Sequence, residues 1–355
     1  MRGEPFDGDG YILFMSVTKG LTATVIHLLI ERGFLDLDAP VCKYWPEFAK
    51  NGKENITVKM VLNHTSGLAA FPIEDNIHFS DFADLDKIIR CLEDMVPFWV
   101  PGTQLLYSVW TFGFMVGEIV RRVTGKTIGA VFREEISVPL GLDLWIGGLP
   151  EEKESRVIPW MPKTLPKLPE SESAHTPSTD PHAGAPQVDR SNPLVAAYGL
   201  AMNDPTLPAF VNTREAHTCE IPSANGIGDA RSLAKFYAHL IGEVHGHPPI
   251  LKPETLQRAI APATDEYAIA SPINQIFPPG SFRFALGYEK SRKGDPMLGE
   301  GSFGHVGVGG RIAFADVTSG MTVAYVCNNP TWDPRGPDTR WHPWMNALSV
   351  IAEQD

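Results

Sequence analysis

From Ser16 onward the chain takes up a helical rhythm. Leu21, Val25, Leu28 and Leu29 recur at three- and four-residue steps, and the pattern stops at Gly33. That spacing predicts a helix opening at Ser16. A second amphipathic run, WTFGFMVGEIVRRV over 110–123, is followed by Gly125 as a stop signal. A third, DARSLAKFYAHLIG over 229–242, has Asp229 in a capping position. Late in the chain the period changes. GRIAFADVTSG and MTVAYVCNN are short runs rich in β-branched and aromatic residues, joined through Thr318, Ser319 and Gly320, and they predict an antiparallel hairpin. WHPWMNALSVIAEQ then has the spacing of a closing helix.

Between the second and third helices, residues 151–210 hold ten prolines and little periodicity, so an extended, largely irregular excursion is expected there. Helices first and strands late predict an α+β architecture, a helical layer against a sheet. Two strands alone are marginal. Either the middle of the chain supplies more, or further strands lie upstream.

With 355 residues, 43% of them hydrophobic and 20% charged, the chain can bury a full core. Its formal net charge of −12 offers no broad basic footprint, which argues against a nucleic-acid partner. Cys42, Cys91, Cys219 and Cys327 lack paired or metal-ligand spacing and read as free thiols, favouring a reducing compartment. No apolar leader opens the sequence and no window approaches a membrane span, so a cytoplasmic location is expected. The eleven histidines form no His/Cys cluster; neither a metal nor any other cofactor is expected.

Three stretches carry candidate chemistry. FMSVTKG sets Ser16 and Lys19 three residues apart at the mouth of a helix, on one face and within mutual reach. A desolvated lysine there can take the serine proton. Taken alone, Ser16 is equally a helix cap. PGTQLLYSVW places Tyr107 after a Pro101–Gly102 turn, where a tyrosine is either a core residue or a proton relay. FGHVGVGG, 303–310, puts His305 among glycines just before a strand. The glycines admit close backbone approach, and an N–H near Val308 joined with that of Ser16 would make an oxyanion hole. His305 would then stand on the wall as a donor to substrate or a partner of Tyr107.

Ser16-Val17-Thr18-Lys19, Tyr107 and His305-Val306-Gly307 together resemble the three motifs of the penicillin-recognising serine hydrolases. The nearest branch is the class C β-lactamase-related carboxylesterases, family VIII. PVCKYWPEF, VLNHTSGL, GEIVRRVTGK, FREEISVPLGLDLWIG and IPSANGIGDARSLAKFYAHL carry the likeness along nearly the whole chain. The resemblance implies a β-lactamase/transpeptidase-like fold: an antiparallel central sheet flanked by helices, plus a mostly helical region. It implies one catalytic unit over 1–355, with a helical and irregular subregion about 35–225 and strands mainly about 284–328. It also implies a start after the N-terminal helix and strands of relatives, and a free sheet edge that a homodimer would cover. His64, in NHTSG, is structural on this reading.

Two departures bear on substrate. The second motif ends in Val109 rather than an amide, and His305 replaces a lysine. Both changes favour a neutral small-molecule ester, of short or medium chain, over a penicillin. Ser16, Lys19 and Tyr107 are then the expected catalytic set, with His305, Gly307, Val308 and Val109 lining the substrate and oxyanion region. β-Lactamase or D-aminopeptidase activity, acyl transfer and a non-catalytic scaffold are the alternatives. The G-x-S-x-G elbow of α/β-hydrolases is absent around Ser16.

Overall fold

A computed structural model describes residues 8–161, 189–204, 206–292, 297–329 and 340–352. Its early helices are α1 Thr18–Glu31, α2 Val58–Leu62, α3 Leu85–Asp94, α4 Thr111–Thr124 and α5 Ile128–Phe132. After them come α6 Pro193–Asn203, α7 Leu207–Phe210, α8 Arg214–Thr218, α9 Ala230–Ile241, α10 Pro253–Ile260 and α11 His342–Ala352. The strands are β1 Ile12–Leu13, β2 Leu144–Ile146, β3 Gly226–Gly228, β4 Glu289–Lys290, β5 Ser302–Gly307, β6 Arg311–Asp316 and β7 Thr322–Tyr325.

The main sheet runs β4-β5-β6-β7, antiparallel throughout, with His305 opposite Ala313 and Gly307 opposite Arg311. Its pleat sorts side chains to two faces. Ile312, Phe314 and Val323 meet Trp341 and Met345, the latter on α11, in a small core. Phe303, Ala313 and Ala315 face the large core. Small alanines on that face let α9 lie close against β6 and β7. This is the expected α+β fold, with a central antiparallel sheet, flanking helices and a mostly helical region. β1, β3 and β2 form a separate three-stranded antiparallel sheet, in that order, so the middle of the chain does supply strands.

The hydrophobic rhythm finds its helices with small shifts. α4 ends on Gly125 in the left-handed conformation, and the Asp229 side chain caps α9 by accepting from Ser232 N. α1 differs in kind: it is buried around most of its circumference, polar residues included. Its polar side chains therefore need partners inside the core. Thr22 Oγ1 donates to Pro222 O, and Thr24 Oγ1 lies 2.8 Å from the Tyr288 hydroxyl. The proline-rich excursion holds more order than expected where it is described. Pro193 sits at the first turn of α6, where its missing N–H costs nothing, and the Asn192 side chain caps the helix. Residues 162–188 lie outside the described residues. All four cysteines are free. Among the described residues no helix is long and apolar enough to cross a membrane.

Burial of His27 has a measurable consequence. Its Nε2 lies 2.8 Å from Leu286 O, and burial pulls its pKa down to about 4. The unfolded chain, titrating near 6.5, therefore binds a proton that the folded protein refuses. Stability present above pH 6.5 is lost as pH falls towards 4, by about 3 kcal/mol for this group alone. Urea unfolding at pH 7 and pH 4.5 should show a clearly smaller loss in His27→Gln, whose amide can still donate to Leu286 O. Equal losses in both proteins would mean that His27 is not held neutral.

Candidate active site

The approach to Ser16 is strained and tightly held. Met15 takes a positive φ of 54°, a conformation that costs a non-glycine residue about 1–3 kcal/mol. It is fixed from three sides. Phe14 N donates to Gly226 O at 2.7 Å, Thr18 Oγ1 donates to Met15 O at 2.6 Å, and Gly226 N donates back to Thr18 Oγ1 at 2.8 Å. A single 3-10 turn, Met15–Val17, then leads into α1. Met15 and Val17 are buried while Ser16 between them is half-exposed. Gly307 of β5 presses on the same bend: a Cβ there would stand 2.4 Å from Phe14 O, so only glycine fits.

Ser16, Lys19 and Tyr107 come together. The Tyr107 hydroxyl donates to Ser16 Oγ at 2.8 Å, and Lys19 Nζ lies 3.4 Å from the same oxygen. Lys19 is wholly buried. Its Nζ donates to Val109 O at 2.9 Å and Ser223 O at 3.1 Å, and stands 4.8 Å from the centre of the Tyr107 ring. Burial drives its pKa well below the ordinary lysine value, with the negative charge of Glu289 opposing. Burial likewise raises the Tyr107 phenol above its usual range, so it stays protonated and able to donate.

The Ser223 carbonyl reaches Lys19 because α4 comes very close to the 222–223 backbone. A Cβ on Gly113 would stand 2.1 Å from Ser223 N. The Ser223 hydroxyl locks that approach, donating to Trp110 O at 2.8 Å and accepting from Gly113 N at 2.7 Å. Val109 thus contributes its carbonyl, while its side chain is buried.

His64 supports Tyr107 from behind. Its Nδ1 accepts from Ser108 N at 3.2 Å, and its ring lies 5.2 Å from that of Tyr107 and 4.4 Å from that of Phe284. Burial keeps it neutral.

His305 sits inside β5 rather than in a turn before a strand. Register puts it on the same face as Gly307, with its ring 5.8 Å from that of Tyr107. Its Nδ1 lies 2.6 Å from Val306 O and 3.5 Å from Glu289 Oε2, so Nδ1 carries the proton. Nε2 is buried without a partner. Burial pulls the pKa of His305 down to about 3, so at neutral pH Nε2 offers a lone pair, not the N–H expected of a donor.

Glu289, which carries no motif, is the nearby carboxylate. It is buried, and its Oε2 accepts from Val306 N at 3.0 Å. Val308 lies in the turn after β5, half-buried. An aromatic wall borders Tyr107: Phe284 stacks on it at 5.5 Å, Phe282 at 6.2 Å, and Phe277 packs against Phe282 at 5.0 Å. Among the described residues no three metal-ligating side chains converge.

A serine oxygen touched by a buried amine and a half-buried phenol is an arrangement suited to acyl transfer. Comparisons with known proteins identify the family. The beta-lactamase family matches residues 1–343. Over 335 residues the chain is 32% identical to LipL of Mycobacterium tuberculosis, an esterase/beta-lactamase, covering 91% of this chain and 70% of that protein. The structure of EstA from Arthrobacter nitroguajacolicus Rue61a superposes with a TM-score of 0.79 at 28% identity, over 98% of this chain and 86% of its own. A family VIII carboxylesterase gives a TM-score of 0.78 at 28% identity, over 99% and 85%. The chain belongs to the beta-lactamase family, with a penicillin-binding-protein-like serine-hydrolase fold closely related to the family VIII carboxylesterases.

Proposed function

We propose that the protein is a carboxylesterase that cleaves short- or medium-chain esters through an acyl-enzyme on Ser16. The observation that carries this reading is the bonding of Lys19. A neutral amine has two N–H groups and one lone pair. Val109 O and Ser223 O take the two N–H groups, which leaves the lone pair for the third neighbour, Ser16 Oγ, at 3.4 Å. Lys19 then accepts the Ser16 proton as Oγ forms its bond to the ester carbonyl carbon. Backbone N–H groups of Ser16 and Val308 receive the negative acyl oxygen. As the tetrahedral centre collapses, the bond to the leaving alkoxide breaks and Tyr107 gives that oxygen a proton, recovering one from Lys19. Water repeats the path to release the acid. Phe277, Phe282 and Phe284 beside Tyr107 suit an apolar acyl or alcohol group.

The name of LipL, an esterase/beta-lactamase, favours a second reading in which a β-lactam acylates the same serine. Val109 and His305 weigh against it. The first has no polar side chain, and the second presents a lone pair where a lactam carboxylate needs a cation. Two missing donors at about 1–1.5 kcal/mol each amount to roughly 100-fold. Steady-state kinetics should therefore give p-nitrophenyl butyrate a kcat/KM roughly 100-fold above that of nitrocefin. Similar values for the two substrates would defeat the ester reading and support the lactam one.

A further inference from the structure

The turn after β5 has its carbonyls taken one by one. Gly307 O accepts from Gly310 N at 3.1 Å, Val308 O from Arg311 Nη1 at 2.8 Å, and Gly309 O from Arg340 Nη2 at 2.7 Å. Cys327 Sγ also lies 3.2 Å from Gly309 O. In a planar trans peptide the C=O and the N–H point in opposite directions. Fixing each carbonyl therefore fixes the direction of the N–H that follows it, that of Val308 first. The turn closes between Gly307 and Arg311, a register pair, with φ of +89° at Gly309 and +93° at Gly310.

Arg311 is an unusual residue for a place under a turn. It is 1% exposed, and Gly307 lies directly against its stem. Its guanidinium stands 4.7 Å from the centre of the Trp160 ring. Its Nε has no partner, and no carboxylate pairs with it among the described residues. Burial lowers its pKa to about 10, which still leaves a cation at neutral pH. Burying such a charge is costly. An apolar side chain would fill the space without that cost, so the guanidinium calls for a role that needs its charge and its donors. Trp160, which receives it, is itself tied down, exchanging hydrogen bonds with the Asn212 side chain at 2.7 and 2.9 Å.

We propose that Arg311, assisted by Arg340 at the rim, is a positioning residue for the acyl-oxygen subsite: Arg311 locks the Val308–Gly309 peptide through the Val308 carbonyl, Arg340 locks the Gly309–Gly310 peptide whose Gly310 N–H holds Gly307 O, and the turn so fixed keeps the Val308 N–H in place for the charge that develops on the substrate. This rests on the reading of Ser16 as nucleophile and Val308 N–H as an oxyanion donor. Donors fixed before the reaction act on the transition state, not on substrate binding. Loss of the clamp therefore lowers kcat and leaves KM nearly untouched.

The test compares Arg311→Met, Arg311→Lys and Arg340→Lys with the wild type. Three quantities are read: the rate of Ser16 labelling by a fluorophosphonate, kcat and KM for p-nitrophenyl butyrate, and the affinity for an alkylboronic acid, whose serine adduct is tetrahedral and anionic. Arg311→Met should lose about 10- to 100-fold in kcat with KM within about threefold, and boronate affinity should fall by a similar factor. Arg311→Lys, which keeps the charge but loses the fork, should fall between Arg311→Met and the wild type. Should Arg311→Met fail to fold, the two lysine variants carry the same comparison. Folded variants with kcat and boronate affinity within twofold of the wild type overturn the clamp. So does a fall in kcat with boronate affinity unchanged. A wild type whose Ser16 does not label overturns the nucleophile reading and the clamp with it.

Discussion

Ser16→Ala will lose ester hydrolysis by at least about 10³-fold and will form no covalent adduct, with its fold intact. No other hydroxyl is described within reach of both Lys19 Nζ and the Tyr107 hydroxyl, so no neighbour can take over as nucleophile. The structural cost is small by comparison. Removing Oγ leaves the half-buried Tyr107 hydroxyl without this acceptor, worth about 0.5–1.5 kcal/mol, and relieves nothing of the strain at Met15. A drop of a few degrees in Tm with cooperative melting is the expected signature. Intact-mass analysis after a short pulse of p-nitrophenyl butyrate reads both proteins in one experiment. An acyl adduct of unchanged yield in the variant would rule out Ser16. Absence of any adduct in the wild type, at every pulse length, would instead favour the scaffold reading.

The helices that were legible beforehand are those whose period runs for three turns between clear stops, such as α4 before Gly125 and α9 behind Asp229. β1, β2 and β3 are two or three residues long, too short for any alternation to register. β5 was hidden because Gly304 and Gly307 leave two of its six positions without side chains. Those gaps are required by neighbours: a Cβ on Gly304 would meet Ala313 O at 2.2 Å, and one on Gly307 would meet Phe14 O. α6 is masked by prolines, which usually interrupt helices, although Pro193 occupies the one helical position that suits it.

The site divides along a similar line. Ser16, Lys19 and Tyr107 are marked by residue type, because proton transfer needs a hydroxyl, an amine and a phenol. The groups that tune them are not. Val109 and Ser223 act on Lys19 through backbone carbonyls, which every residue possesses, and Ser223 lies 204 positions away in sequence. Glu289 acts through its field and through one bond to Val306 N. Arg311 reaches the site by holding a carbonyl. Contacts of this kind depend on which segments the fold brings together, and no local pattern encodes that. His305 shows the limit within a recognised motif: its position was legible, but its proton sits on Nδ1 because of Val306 O and Glu289, a distant strand neighbour.

Lys19→Met will abolish hydrolysis and, more tellingly, will flatten the pH dependence of stability on the alkaline side. In the wild type the folded pKa of Lys19 lies well below 10.5, chiefly through burial. Between the folded value and 10.5, the unfolded chain binds a proton that the folded protein does not. Wild-type stability therefore rises with pH through this window, by up to about 1.4 kcal/mol per unit, and levels off above 10.5. Methionine binds no proton in either state and lacks this slope. The sign of the stability difference at any single pH depends on a competition. The variant escapes the penalty of neutralising a buried lysine, but it strips Val109 O and Ser223 O of their donor, at about 1–3 kcal/mol each. The slope is free of that competition, since two orphaned carbonyls cost the same at pH 7 and pH 10. Urea titrations of both proteins at pH 7, 8, 9 and 10 give the difference directly. A wild-type minus variant stability that climbs across the series means that Lys19 is folded as a free base, ready to accept the Ser16 proton. A flat difference, with hydrolysis still lost, means that Lys19 is folded as a cation, and the lone pair assigned to it does not exist.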